Sequence, residues 1–336
     1  MSFRPTPQNR GAWPYHLAAE CLLAALSCAV PLLADPTYTV FWAPNDANIY
    51  PQSINLSGTV TGYYGFSHGF VRDPSGTFTT FDVPGSIETY PEAINTVETI
   101  VGRWKDANQL SHSFVRDGNG TITAFDPPQA SQSWATGINE QGAIVGSCYC
   151  SSPSLAIDSY VRHPDGTFSI LNLKRSLSTY AYGINSAYLV TGEYESSIGT
   201  GIHGFVGWPP SYFIWFDPPG SVQTYPGSIN RVGAITGYYV DATHNGYHGF
   251  VRDPLGKIVS IDGIPSMINN AGVIVGSFTD HQLVHGFVRD TQGAITLFDA
   301  PGSTLTYAQS INDQGVITGY AGTDNYHPTS GFVRTP

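Results

Sequence analysis

Five histidines are each followed, fourteen residues later, by an aspartate: His68 and Asp82, His112 and Asp126, His203 and Asp217, His248 and Asp262, His285 and Asp299. An aspartate beside an imidazole fixes its tautomer and can make it a general base. Catalysis needs one special constellation, whereas five equivalent copies suggest a scaffold bond. Loss of the two partners coincides. One further copy carries Asp158 and Asn172 in the two places, and the last carries Ser330, whose counterpart is Trp42 near the other end of the chain. The pairs are therefore expected to be in contact.

Other chemistry is sparse. Glu92, Glu193 and Glu195 are candidates for the paired carboxylates of glycoside hydrolysis, but nothing in the sequence sets two of them at working distance. The chain has no Gly-x-Ser-x-Gly elbow, no Gly-Lys-Ser/Thr phosphate loop and no Asp-x-Asp-x-Asp calcium loop. Cys148 and Cys150 lie two apart, so on a strand they share a face and a local disulfide is possible. A zinc site would need further ligands close by. No catalytic residue, metal or cofactor is assigned. The recurrent Arg72, Arg116, Arg162, Arg252, Arg289 and Arg334 are expected to pair with carboxylates near a turn.

The best binding candidates are aromatic. Tyr50, Tyr90, Trp134, Tyr180, Tyr225 and Tyr307 each stand five residues before the asparagine of an Ile-Asn dipeptide. Flat rings with a polar tip suit stacking on sugars or peptides. The competing reading, favoured by Pro51, Pro91 and Pro226 beside them, is packing against a neighbouring repeat.

The elements that position these residues come from an internal repeat. Ile-Asn recurs at Asn55, Asn95, Asn139, Asn185, Asn230, Asn269 and Asn312, at spacings of 39 to 46 residues. Seven residues after each asparagine stands Gly62, Gly102, Gly146, Gly192, Gly237, Gly276 or Gly319, preceded by two β-branched residues. A third strand reads His-Gly-Phe-Val-Arg-Asp and a fourth ends in Phe-Asp. Four short strands per repeat describe a propeller blade. The last repeat stops after its third strand, and residues 38–44 match a fourth strand in register. The expectation is an all-β, seven-bladed β-propeller with four antiparallel strands per blade, its last blade closed by the N-terminal strand. Apart from a link shortened by six residues between Asp262 and Asn269, only the distance from the glycine to the third-strand aromatic varies, between 8 and 14 residues. Those loops and the links between blades belong to one face, where specificity is usually placed.

The pattern Ile-Asn-x-x-Gly-x-Ile-x-Gly-Tyr, then His-Gly-Phe-Val-Arg-Asp, then Phe-Asp-x-Pro-Gly-Ser, resembles the bacterial extracellular HAF-repeat family over residues 38–336. The third copy departs most, at Tyr160, His163 and Asn172. The resemblance implies an exported or surface protein and carries over no catalytic residues.

Composition agrees. Only 12% of the 336 residues are charged, against 37 glycines, 24 prolines and 20 tyrosines. Arg4 and Arg10, the apolar run Cys21–Leu33 and the small residues Ala29 and Ala34 read as a secretory signal in residues 1–34, followed by the propeller in 35–336. The net charge is −11, and an acidic body argues against nucleic acid or anionic membrane as partner. The expected product is a secreted monomer acting as a non-catalytic binding module for a glycan or a protein loop. A polysaccharide-active enzyme and a structural envelope protein are the alternatives.

Overall fold

A computed structural model describes residues 35–336 except 66, 151–155, 172, 174–175, 198–200, 211, 244–245 and 325–328. The expected signal in 1–34 and the variant Asn172 lie outside the described residues. The described residues form twenty-eight strands and one short 3-10 turn, Pro44–Asp46.

Each repeat is an antiparallel meander. In the second repeat Glu88–Ile94, Ile100–Lys105, Ser111–Arg116 and Ile122–Phe125 pair in chain order. Three of the sheets have four strands. Two have eight, where single parallel bridges, Ile202 with Gln223 and Val284 with Leu305, join neighbouring meanders. The N-terminal strand Thr37–Phe41 pairs antiparallel with the C-terminal strand Ser330–Thr335, Phe41 lying opposite Gly331. It is shorter than the 38–44 expected, because at Pro44–Asp46 the chain turns, Asn45 and Asp46 both taking positive φ.

The repeated asparagine has two jobs. Its side-chain oxygen accepts the amide four residues on, as in Ala143 N to Asn139 Oδ1 at 2.8 Å, which closes the turn between the first two strands. Its Nδ2 donates to the backbone carbonyl of the next repeat's asparagine. The bonds run Asn55 to Asn95, Asn95 to Asn139, Asn139 to Asn185, Asn185 to Asn230, Asn230 to Asn269, Asn269 to Asn312 and Asn312 back to Asn55, at 2.9–3.3 Å. The circuit is closed, and every member is buried. Buried amides left without partners are costly, so turn and ring are bound to one residue type.

The glycine seven residues on is fixed by contact. A Cβ at Gly62, Gly102, Gly146, Gly192, Gly237, Gly276 or Gly319 would meet a backbone oxygen of the paired inner strand within 1.9–2.3 Å. That carbonyl belongs to the residue five before the asparagine, next to a register shift present in every inner strand. In two repeats the third turn residue is Glu98 or Tyr188 in place of glycine, and both hold φ near +60°.

Neighbouring repeats are joined through rings. Phe41, Phe81, Phe125, Phe216 and Phe298, at the ends of outer strands, pack edge-on against Phe70, Phe114, Tyr160, Phe250 and Phe332 of the following repeat, with centroids 6.0–6.4 Å apart. The same five outer rings carry guanidinium groups: Arg72, Arg116, Arg162, Arg252 and Arg334 sit 4.9–5.1 Å above them. This corrects the expected carboxylate pairing. A guanidinium is weakly hydrated and tolerates partial burial against a π face, so it is a better joint than a fully hydrated ion pair.

Asn139→Ala removes the donor to Asn185 and leaves the Ala143 amide buried without its acceptor. The expected cost is roughly 2–4 kcal/mol, seen as a lowered urea midpoint. An unchanged midpoint would show that the circuit contributes nothing to stability.

Candidate functional site

Four of the five His–Asp pairs form as read. The distances are 2.9 Å for His68–Asp82, 2.8 Å for His112–Asp126, 2.8 Å for His203–Asp217 and 2.9 Å for His285–Asp299. The fifth is corrected: His248 bonds Asp241 through Nε2 at 3.1 Å, Asp241 being the last residue of the adjacent strand Ile235–Asp241. In four repeats the imidazole also lies by an aromatic ring of the second strand: Tyr64–His68 5.5 Å, Trp104–His112 4.9 Å, Tyr194–His203 5.3 Å and Tyr239–His248 5.1 Å. Repetition and engagement on both sides make these joints of the scaffold.

The six aromatics called from sequence stand near the starts of the inner strands, opposite the end that carries the asparagine circuit, and all are half-buried. They do not stand apart. Tyr307, Tyr320, Tyr50, Tyr63 and Tyr90 form a continuous run with centroids 4.8–5.2 Å apart, ending with Arg103 4.7 Å above Tyr90. Tyr225 stacks on Tyr238 at 4.8 Å, and Trp134 meets Tyr149 edge-on at 5.6 Å. Tyr180 lies near Tyr149 and Glu193. In the sixth repeat Ile264 takes the aromatic's place.

Of the side chains between these rings, sequence reasoning named only Glu193, as a candidate carboxylate, and did not place it here. These side chains come from the residue just after each repeat glycine: Tyr63, Arg103, Ser147, Glu193, Tyr238, Ser277 and Tyr320. Tyr63 bridges Tyr50 and the next repeat's Tyr90, and Tyr320 bridges Tyr307 and Tyr50 across the closure. The signal was the invariant glycine itself, whose neighbour on the strand must face the opposite side of the sheet.

A cavity of about 440 Å³ opens among these groups, lined by Glu92, Arg103, Trp134, Thr136, Tyr180 and Tyr182. Glu92, Thr136 and Tyr182 are the residues skipped at the register shifts of their strands. A bulge re-aims the side chain that leaves the ladder, and here it turns three of them to one place. Arg103 Nε stands 3.4 Å from Glu92 Oε1. Burial outweighs this cation and pushes the Glu92 carboxyl up to about 7. Glu193, beside the cavity, is likewise pushed up to about 7 by burial, against the hydrogen bond from the Tyr182 hydroxyl. Its Oε2 is buried with no hydrogen-bond partner among the described residues. Burial and the Glu193 charge both raise the Tyr182 phenol. Glu195 is exposed and does not line the cavity. No cluster suited to hold a metal occurs among the described residues. Cys148 and Cys150 are joined in a disulfide, buried beside Tyr160.

No family model and no curated protein matches the chain. Solved structures do. One is a catalytically inactive virginiamycin B lyase from Staphylococcus aureus with quinupristin, at TM-score 0.61 and 12% identity over 90% of this chain and 100% of that one. Another is the β-propeller domain of the Trilobed protease from Pyrococcus furiosus, at TM-score 0.58 and 10% identity over 85% and 95% of the two chains. The fold is a β-propeller. Identities this low speak to the fold alone. The archaeal domain has an open velcro topology, whereas here the two terminal strands pair.

The raised carboxyls make stability depend on pH. A glutamate whose folded pKa lies above its unfolded value of 4.5 gives full stability below pH 4.5 and loses it as pH rises through about 7. Glu193→Gln should therefore stabilise the protein at pH 8 by roughly 2 kcal/mol and change little at pH 4, as read from unfolding midpoints across that range.

Proposed function

We propose that the chain is an exported, monomeric, seven-bladed β-propeller that binds a glycan at its aromatic mouth without transforming it. The twenty-eight strands and the seven-membered asparagine circuit support the blade count. The repeat resembles the HAF-repeat family, which supports export, and the Cys148–Cys150 disulfide suits an oxidising compartment. No helix among the described residues is long and apolar enough to cross a membrane.

One observation carries the binding reading: the mouth cavity combines flat walls from Trp134 and Tyr180 with the convergent polar groups Glu92, Arg103, Thr136 and Tyr182. Concave sites with apolar walls and a few fixed polar groups are how proteins hold small ligands. An indole face takes the apolar face of a sugar, and the polar groups take its hydroxyls. A protein loop offering an aromatic tip is the other ligand this geometry fits. Intrinsic fluorescence titrated with cell-wall and plant polysaccharides should show saturable binding. Trp134→Ala should weaken it about ten-fold or more. No response to any polysaccharide would remove the glycan version.

A second reading has its own support. Glu92 and Glu193 both titrate near 7, the range in which a carboxyl serves as a general acid or base. If the protein turns over polysaccharide, Glu92→Gln should abolish product release in a reducing-sugar assay while leaving binding intact. Absence of any product from the unmodified protein removes this reading.

A further inference from the structure

The rim of the propeller is regular in four repeats and broken in the seventh. In those four, an aromatic ring from the second strand lies against a histidine from the third. In three of them an outer-strand aspartate holds that histidine. The seventh repeat changes all three positions at once. Ala321 stands where the ring would be, Ser330 where the histidine would be, and Trp42 where the aspartate would be. Two flat side chains are thus replaced by two small ones. The outermost position, supplied by the N-terminal strand, gains the largest side chain available.

A cavity of about 520 Å³ lies there, lined by Val40, Trp42, Asp46, Pro301, Gly302, Ser303, Ala321, Gly322, Thr323 and Ser330. Trp42 is 55% exposed, although it sits between the buried Ala43 and the half-buried Phe41. Gly302 adds no side chain to the lining, and a Cβ there would meet nothing within 4 Å. Around the indole stand the exposed Asp46 carboxylate and the exposed Thr323. Ser330 is turned inward, toward the Ala321 carbonyl at 3.4 Å. Gly322 also lines a smaller cavity of about 200 Å³ that contains Tyr50, Tyr307 and Tyr320, so the hollow adjoins the tyrosine run at the mouth.

We propose that this hollow is a second carbohydrate site, holding one pyranose of a polysaccharide with its apolar face on the Trp42 indole and its hydroxyls on Asp46 and Thr323. The proposal rests on the glycan reading of the mouth for its ligand class but shares no residue with the cavity there. The physical case is substitution of shape. The exposed indole replaces the aspartate whose partner histidine has gone. An aromatic wall with a carboxylate at its edge orients a sugar by stacking and by accepting from vicinal hydroxyls. Adjacency to Tyr50, Tyr307 and Tyr320 favours a chain of sugars over a single one.

The test is calorimetric titration of the intact protein with cellohexaose, N-acetylchitohexaose and maltohexaose. At least one should bind. Trp42→Ala should weaken that binding about ten-fold or more, and Asp46→Ala should weaken it too, with the urea midpoint little changed. A second variant restores the regular rim: Trp42→Asp, Ser330→His and Ala321→Tyr together should refill the hollow, keep the fold and remove the binding. Loss with Trp42→Ala but not with Trp134→Ala supports the rim site and counts against the mouth. Loss with Trp134→Ala alone, full binding by the refilled variant, or no binding of any of the three oligosaccharides overturns the rim site.

Discussion

Everything in this molecule hangs on seven buried carboxamides. Each closes its own turn through oxygen and reaches the next repeat through nitrogen, so local and long-range order are set by one side chain. No other residue type does both. Aspartate has no donor, serine is too short to bridge, and glutamine adds a methylene that the turn cannot absorb. The circuit also sets the spacing of the inner strands, because the distance between neighbouring asparagines determines how closely those strands approach. Once that spacing is set, the starts of the same strands are set too, and with them the tyrosines at the opposite mouth.

Farther from the axis the joints become less polar. The outer-strand rings of one repeat pack on the third-strand rings of the next and are covered by guanidinium groups. Where the outer ring is missing the arrangement changes with it. After Leu171 the following repeat has Gly207 where arginine would stand. After Ile261 the arginine, Arg289, persists although the outer-strand residue is aliphatic. The joints thus tolerate local loss, since each blade is held by its neighbours through several independent contacts. That tolerance lets single repeats diverge at the rim and the mouth.

Much of this was legible in the residues. Asn and Gly recur because backbone contacts forbid anything else, so period, strand order and closure could be read by counting. Four His–Asp pairs followed from their shared absence elsewhere. The fifth did not, because Asp241 at the end of the neighbouring second strand reaches His248 Nε2, a contact across the hairpin that comparing the repeats does not weigh. The arginines misled because charge suggests charge, and the ring lay in the preceding repeat rather than nearby in sequence. At the mouth the six aromatics were found and Glu92 and Glu193 were named as carboxylates, but neither their place beside the rings nor the tyrosines and Arg103 between them was foreseen. A bulge turns Glu92, Thr136 and Tyr182 toward the cavity, and no alternation rule predicts where a strand breaks its own alternation. The raised carboxyls were invisible for the same reason, since burial is a property of neighbours.

The pairing of Thr37–Phe41 with Ser330–Thr335 has a temporal meaning. Of the described strands, Thr37–Phe41 is made first and pairs only with Ser330–Thr335, which is made last. Until then the outer edge of the last repeat is an unpaired strand, the kind of surface that recruits other chains. The described strands therefore stay an open array until Ser330–Thr335 has been made, and one pairing closes them. Trp42 directly follows Thr37–Phe41 and Ser330 opens the partner strand, so the rim hollow exists only once those two strands have paired.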